Sequence, residues 1–360
     1  MGTRDRRARI QRRVEEAGTV RVSELAEEFS VSEMTVRRDL DVLTRDGLVT
    51  RVRGGAMLAR GGRRGAKSAR TVGIVLPVED YVYRTILRAV NTTLTAAGAR
   101  SRMQVSNYTP ELERELVEGL LDGSVDGLLF APTLDEEKPD QDHLAWIAQL
   151  PVPVVLVERR LPDNWPGPSV CSVRASFTRG LTQAAAHLAG LGHTRIAFFG
   201  HVRRMSVTAL EAQWEEIIDG LELDPSSCPF VVDKDYQHWT SAAEPERVLS
   251  RLRGVGVTAL ICRDDPVALT MAHHAQRIGL RIPEDLSLLA YDDEMATMCD
   301  PPLSAISPPK EALGQAAAEL LLERMEQRRR GDEGPTVHLD LEPQLVVRSS
   351  TAPPGHQADR

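Results

Sequence analysis

The sequence predicts an α/β chain: a small winged helix-turn-helix head followed by a two-lobed body of parallel sheets. Three observations predict it. Residues 1–57 spell three short amphipathic helices and an extended pair, and from Thr71 onward short apolar strands alternate with amphipathic helices. Charge divides at the same place. Residues 1–70 hold 17 Lys and Arg against 10 Asp and Glu, while the rest hold 27 against 42, so a net charge of −8 conceals a basic head on an acidic body. That asymmetry points the head, and not the body, toward a polyanion.

At 360 residues two or three domains are expected, and 42% hydrophobic with 27% charged residues is the composition of a folded soluble protein. No apolar run approaches the roughly 18 residues of a membrane span. The basic start runs into Gln11, Arg12, Arg13, Glu15 and Glu16 rather than an apolar segment, so no secretion signal is expected. Cys171, Cys228, Cys262 and Cys299 stand far apart with no CxxC pair. No disulfide framework, metal site or cofactor is expected, and a cytoplasmic location fits.

In the head, Arg4–Ala17 reads as a helix with Ile10, Val14 and Ala17 on one stripe and Gly18 as its stop. Thr19–Val22 is extended, Ser23 caps a helix over Glu24–Phe29, and Ser30-Val31-Ser32 turns the chain. Ser32 caps a third helix to about Arg45, ended by Asp46-Gly47, and Leu48–Val52 with Gly54-Gly55 forms a wing. Val36, Leu40 and Leu43 fall at i, i+4, i+7 and face inward, which turns Met34, Arg38, Asp41 and Arg45 outward with Thr35 and Arg37 on the flanks. Such a helix enters a major groove, where an arginine forks onto guanine for roughly 1–3 kcal/mol of discrimination. Ser32 and Thr35 suit phosphate or base edges, and Arg51 and Arg53 suit backbone contacts from the wing. The alternative for Arg37 is an ion pair with Asp41.

Val22-Ser23-Glu24-Leu25-Ala26, Val31-Ser32 with Thr35-Val36-Arg37-Arg38-Asp39-Leu40, and Gly47-Leu48-Val49 with Arg53-Gly54-Gly55-Ala56 resemble the DeoR-type helix-turn-helix over about residues 4–58. The resemblance implies that Ser32, Glu33, Thr35, Arg37 and Arg38 read an operator. Residues 58–70, rich in Gly and Arg, read as a flexible basic tether.

Strands are expected at Val72–Leu76, Gly127–Phe130, Val154–Val157, Ile196–Phe199, Ala259–Cys262 and Leu286–Ala290. Helices are expected near Arg84–Ala97, Leu112–Leu121, Thr178–Leu191, Ala209–Ile218, Pro245–Leu252, Pro266–Ile278 and Glu311–Gln327. Uninterrupted apolar strands imply parallel sheets covered on both faces, and about 290 residues imply two lobes. Ligands bind beyond the carboxyl ends of such strands. Those ends deliver Glu79, Asp80 and Tyr81, then Glu158, Arg159 and Arg160, then Arg263, Asp264 and Asp265, then Tyr291, Asp292 and Asp293. Carboxylates near Tyr81, Tyr83, Phe177 and Trp239 suit a polyhydroxylated or cationic small molecule. Asp265, just before Pro266, reads as a helix cap.

His187-Leu188 through Gly200, Cys262-Arg263-Asp264-Asp265, Gly279-Leu280-Arg281-Ile282-Pro283-Glu284-Asp285, Tyr291-Asp292-Asp293, Pro301-Pro302-Leu303-Ser304 and Leu345-Val346-Val347-Arg348 resemble the LacI/GalR-type, periplasmic-binding-protein-like sensor. The resemblance covers about 71–352. It implies a type I two-lobed cleft crossed by three strands, a homodimer on operator DNA with an inverted repeat, and a sugar-like effector that alters operator affinity. It implies lobe 1 over about 71–158 and 294–328 and lobe 2 over about 159–293 and 335–350, while Ser349–Arg360 itself reads as a frayed tail, disordered over 351–360. By position, the effector contacts it implies are Asp80, Tyr81, Tyr83, Glu158, Arg159, Phe177, Trp239, Asp264 and Asp292, together with Leu210, which stands where that family carries a ligand-gripping arginine. Ser176-Phe177 replaces that family's Asp-Asn pair, and its own DNA-binding head and hinge helix are absent.

The expected function is a sequence-specific transcription regulator, a repressor of carbohydrate-related genes, and not an enzyme. The competing readings are an effector-independent DNA-binding dimer with a degenerate pocket, a cytoplasmic solute-binding protein, and a hydrolase using Asp264/Asp265 or Asp292/Asp293. No nucleophile–base–orienter set supports the last.

Overall fold

The computed structural model describes residues 3–45, 49–52, 54–58, 70–78, 81–135, 138–200, 207–233, 243–332 and 334–355. The chain divides after Ala69 into two compact units. The predicted tether falls outside the described residues except for Leu58 and Arg70, as do Asp46-Gly47-Leu48 and the last five tail residues.

The first unit runs α1 (Thr3–Ala17), β1 (Thr19–Arg21), α2 (Val22–Glu28), α3 (Glu33–Arg45), β2 (Val49–Val52) and β3 (Gly55–Leu58), with the strands in the antiparallel order β1-β3-β2. Ile10, Val14, Val20, Leu25, Phe29, Val36, Leu40, Leu43, Val49 and Ala56 form its core. Two local expectations are corrected. Ser23 lies inside α2 and does not cap it, because Arg21 is still extended and its N–H donates to Glu24 Oε2 at 3.3 Å. Ala17 is exposed, and buried Arg6 rather than Ala17 extends the Ile10–Val14 stripe by one turn. At Gly55 the wing passes so close to β1 that a Cβ would stand 2.1 Å from the Val20 carbonyl oxygen.

In the second unit, one sheet has the order β14-β8-β7-β6-β4-β5 and is parallel throughout. Its strands are β4 (Thr71–Leu76), β5 (Arg100–Val105), β6 (Gly127–Phe130), β7 (Val154–Val157), β8 (Cys171–Ala175) and β14 (His338–Leu341). The other has the order β10-β9-β11-β12-β13-β15, from β9 (Ile196–Gly200), β10 (Phe230–Val232), β11 (Ala259–Cys262), β12 (Ser287–Tyr291), β13 (Ser304–Ser307) and β15 (Gln344–Val346). Only β15 runs antiparallel. The helices are α4 (Tyr81–Ala96), α5 (Pro110–Asp122), α6 (Gln141–Ala148), α7 (Phe177–Gly190), α8 (Val207–Gly220), α9 (Ala243–Gly254), α10 (Asp265–Arg277) and α11 (Lys310–Arg329). Apolar clusters fill both faces of each sheet, as continuous strands such as Leu128-Leu129-Phe130 require.

The lobe boundaries differ from those expected. β8 and β14 pair with each other and belong to the first sheet, so the chain enters the second sheet after Ala175 and not after Glu158. β13 belongs to the second sheet, so the return to the first comes at α11, after Ser307, and not at residue 294. The third crossing lies between Leu341 and Gln344. The tail expectation is corrected for its first residues. Ser350 is fully buried, the Ala352 carbonyl accepts from Ser287 Oγ at 3.0 Å, and His193 Nε2 stands 2.9 Å from that carbonyl.

Candidate functional site

The outward face of α3 is assembled by its cap and its core. Ser32 Oγ accepts from the Thr35 N–H at 3.2 Å and stands 2.9 Å from Thr35 Oγ1, so the two predicted contact hydroxyls are bonded to each other. Val36 and Leu40 are fully buried, and that side anchors the helix. Asp39 is buried too, its carboxylate held by Arg6 Nε at 2.6 Å and Arg7 Nε at 2.8 Å. Arg37 pairs with Glu33 at 3.0 Å, one turn back, rather than with Asp41. Asp41 is engaged by Arg51 Nη2 at 2.5 Å, and the same nitrogen donates to the Arg37 carbonyl at 2.9 Å. Arg51 therefore pins the wing strand to α3. Arg53 lies outside the described residues. Arg38 is exposed, and among the described residues no hydrogen bond or ion pair engages it. Among the described side chains the face presents one unengaged arginine beside Met34, with Glu33, Arg37 and Arg51 tied in the surrounding frame; the side chain of Arg45 lies outside the described residues.

In the second unit, the strand ends bring the predicted acids together. Glu158 follows β7 in a left-handed conformation, φ +57°, and its Oε1 accepts from the Ala175 N–H at 3.3 Å. Burial raises its pKa, opposed by the charges of Arg159, Arg263 and Lys310. Arg159 turns back and donates to the Glu158 carbonyl at 2.7 Å. Asp264 follows β11 and caps α10, accepting from the Val267 N–H at 2.9 Å. The cap expected at Asp265 therefore sits one residue earlier, because Pro266 occupies the second helical position and leaves Asp265 at the first. Asp265 is buried, and its Oδ2 accepts from the N–H groups of Glu294 and Met295, each at 2.6 Å. Asp292 follows β12 at φ +95° and is 7% exposed. Burial pushes its carboxyl up to about 7, against the lowering fields of Arg263 and Lys310.

Five residues packed here, Arg263, Tyr291, Lys310, Glu294 and Thr85, were not assigned as contacts from sequence. The Arg263 guanidinium lies 4.7 Å from the centroid of the Phe177 ring, which also packs 4.9 Å from Tyr291. The cation that the acids and rings were expected to attract is thus supplied in part by the chain itself. Lys310, 5% exposed at the start of α11, donates to the Asp292 carbonyl and stands 3.2 Å from Glu294 Oε1. Glu294 Oε1 also accepts from Thr85 Oγ1 on α4 at 3.4 Å, which ties the two sheets' elements together. Arg263 was visible as a strand-end residue, whereas Lys310 had only the Pro308-Pro309 break before it as a signal. Tyr83 is corrected. It is 5% exposed within the apolar core of the first sheet, because its place on α4 turns it inward. Leu210 is buried on α8. Tyr81 opens α4 with an undescribed side chain, and Asp80 and Trp239 lie outside the described residues.

A cavity of about 600 Å³ is lined by Thr133, His143, Arg160, Asp163, Arg174 and Ala209 among others, and none of Glu158, Arg263, Asp264, Asp292 and Lys310 lines it. Among the described residues no cluster of His, Cys, Asp and Glu is arranged to hold a metal ion, and no helix is long and apolar enough to cross a membrane.

A winged helix-turn-helix joined to two parallel sheets with ligand-type chemistry at their carboxyl ends defines a DNA-binding regulator carrying a small-molecule sensor. Residues 6–60 match the DeoR-like helix-turn-helix domain, and residues 185–351 match the periplasmic binding protein-like domain. The HTH-type transcriptional regulator MalR of Streptomyces coelicolor is 30% identical over 353 residues, covering 93% of this chain and 97% of that protein. The chain belongs to the HTH-type transcriptional regulators and carries a periplasmic binding protein-like domain. The arabinose metabolism transcriptional repressor of Geobacillus stearothermophilus is 28% identical over 340 residues, 91% of this chain and 90% of that protein. Two crystal structures share the fold. A LacI transcriptional regulator from a Rhodococcus species has a TM-score of 0.65 at 23% identity, covering 80% of this chain and all of that one. A LacI family regulator from Enterococcus faecium with bound ribose has a TM-score of 0.62 at 21% identity, covering 79% and 99%.

Proposed function

We propose that the protein is a cytoplasmic homodimeric repressor of carbohydrate-related genes. It reads an inverted-repeat operator through α3 and is modulated by a sugar-like effector at the strand ends of its sensor. It has no catalytic role. The relatives' names and the ribose-bound neighbour support the ligand class. The observation that carries the DNA reading is Arg38: its neighbours Arg37 and Arg51 are paired within the head, while it stands exposed and unengaged among the described residues. Effector and operator are coupled by linkage, so a ligand changes DNA affinity only by its differential affinity for the sensor's two arrangements.

Selection of bound sequences from random duplexes by the full chain tests this reading. A two-fold symmetric repeat is expected, its half-sites about one helical turn apart. Recovery of unselected DNA contradicts it. A second reading, an effector-independent dimer, is favoured by Leu210 buried at the position of the expected grip and by Arg263 covering Phe177. Thermal melting against a panel of sugars and sugar derivatives separates the two, because a true effector raises the melting temperature progressively as its concentration exceeds its dissociation constant.

A further inference from the structure

Met34 is the second residue of α3 and 68% exposed. The other large hydrophobic residues with comparable exposure, Met103, Val255, Met298 and Val347, all lie in the second unit, so among the described residues Met34 is the one in the head. It does not serve the core: Val36, Leu40 and Leu43, which do, lie on the opposite side of the helix. It stands one turn before Arg38 on the outward face, at the spacing where side chains are neighbours. The flanking Glu33 and Arg37 pair with each other at 3.0 Å, leaving Met34 and Arg38 as that face's uncommitted groups among the described side chains.

We propose that Met34 reads the C5-methyl group of a thymine. This rests on α3 being the reading helix. The N-terminal residues of such a helix contact base edges in the major groove, and the thymine methyl is the apolar mark displayed there. Methionine is unbranched and polarizable, so its thioether end can follow an apolar target without demanding one rotamer. With Arg38 beside it, one side chain identifies a thymine and the other a nearby guanine.

The test uses the full chain and the site it selects from random duplexes. Each thymine of that site is replaced in turn by deoxyuridine, which removes only the methyl group. Affinities are measured for the unaltered protein, Met34→Ala and Met34→Gln. At one position per half-site the unaltered protein should lose about fourfold for one buried methyl group. Met34→Ala should lose a similar factor on the thymine duplex, be indifferent to the uracil replacement, and keep an unchanged melting temperature. The proposal is overturned if no single replacement matters, if the selected half-sites lack thymine, or if Met34→Ala remains as sensitive to uracil as the unaltered protein. Failure to select any sequence overturns the base-reading assignment of α3 as well, so the two failures are distinguishable.

Discussion

The carboxylate of Asp39 lies 2.6 Å from Arg6 Nε, with only 2% of the Asp39 side chain exposed. The contact joins α1 to α3. Arg7 adds a second bond at 2.8 Å and keeps a third of its side chain in solvent. Asp39 therefore holds α3 to α1 from the buried side of the helix and is itself withheld from solvent.

Removing one partner strands the other's charge in a nearly dry site. Asp39→Ala should destabilise the head by about 3–5 kcal/mol and abolish DNA binding. Trp146, Trp165, Trp214 and Trp239 all lie outside residues 1–57, so hydrogen exchange of head peptides is the appropriate measurement. Exchange should accelerate across α1, α2 and α3. A double replacement of Arg6 and Asp39 by apolar residues should recover much of the protection. Unchanged protection in Asp39→Ala would show that the pair does not hold the helices.

The sensor should show a pH dependence traceable to Asp292. Its folded pKa is about 7 against an ordinary 3.8, so between those values the folded chain holds one proton that the unfolded chain has lost. This carboxyl therefore favours folding most below pH 4, and the contribution falls as pH rises to 7, by at most about 4 kcal/mol. Asp292→Asn should flatten that part of the profile and be more stable than the unaltered protein above pH 7. Lys310→Met removes a neighbouring cation that lowers this pKa, and should move the window upward. Urea unfolding followed by tryptophan fluorescence at pH 5, 6, 7 and 8 reads both effects. Parallel profiles for Asp292→Asn and the unaltered protein contradict the assignment.

Gly314 marks where α11 crosses α4. A Cβ there would stand 2.4 Å from the Ile86 carbonyl oxygen, a backbone atom that cannot swing aside. Gly314→Ala should destabilise the sensor by about 1–3 kcal/mol through overpacking while leaving the head's hydrogen exchange unchanged. A neutral substitution would mean that the two helices part more readily than their packing implies.

Much of this architecture was legible in local sequence, for identifiable reasons. Buried parallel strands such as Val154–Val157 and Ala259–Cys262 are uninterrupted apolar runs, and reading the residues just after them leads to Glu158, Asp264 and Asp292 at the strand ends. β5, Arg100-Ser101-Arg102-Met103-Gln104-Val105, was missed because it is an edge strand with five exposed side chains and no apolar run. The lobe boundaries were misplaced because nothing local in Cys171–Ala175 or His338–Leu341 says that these strands pair with each other. Lys310 went unread for the same reason: it reaches the cleft only because β13 lies in the second sheet and α11 returns to the first. In the head, the period of α3 placed Arg38 and Met34 outward, but burial alone could not say that Arg37 would turn to Glu33 and Arg51 to Asp41.

The central claim is that α3 reads bases through Arg38. It is tested most directly by comparing the unaltered protein with Arg38→Ala on a selected operator and on random duplex, across a salt series. Both proteins should weaken with rising salt at similar slopes, since phosphate contacts release counterions in each. The variant should lose at least about tenfold on the operator and less than about threefold on random duplex. Equal losses on the two duplexes would reduce Arg38 to a phosphate contact and contradict the account.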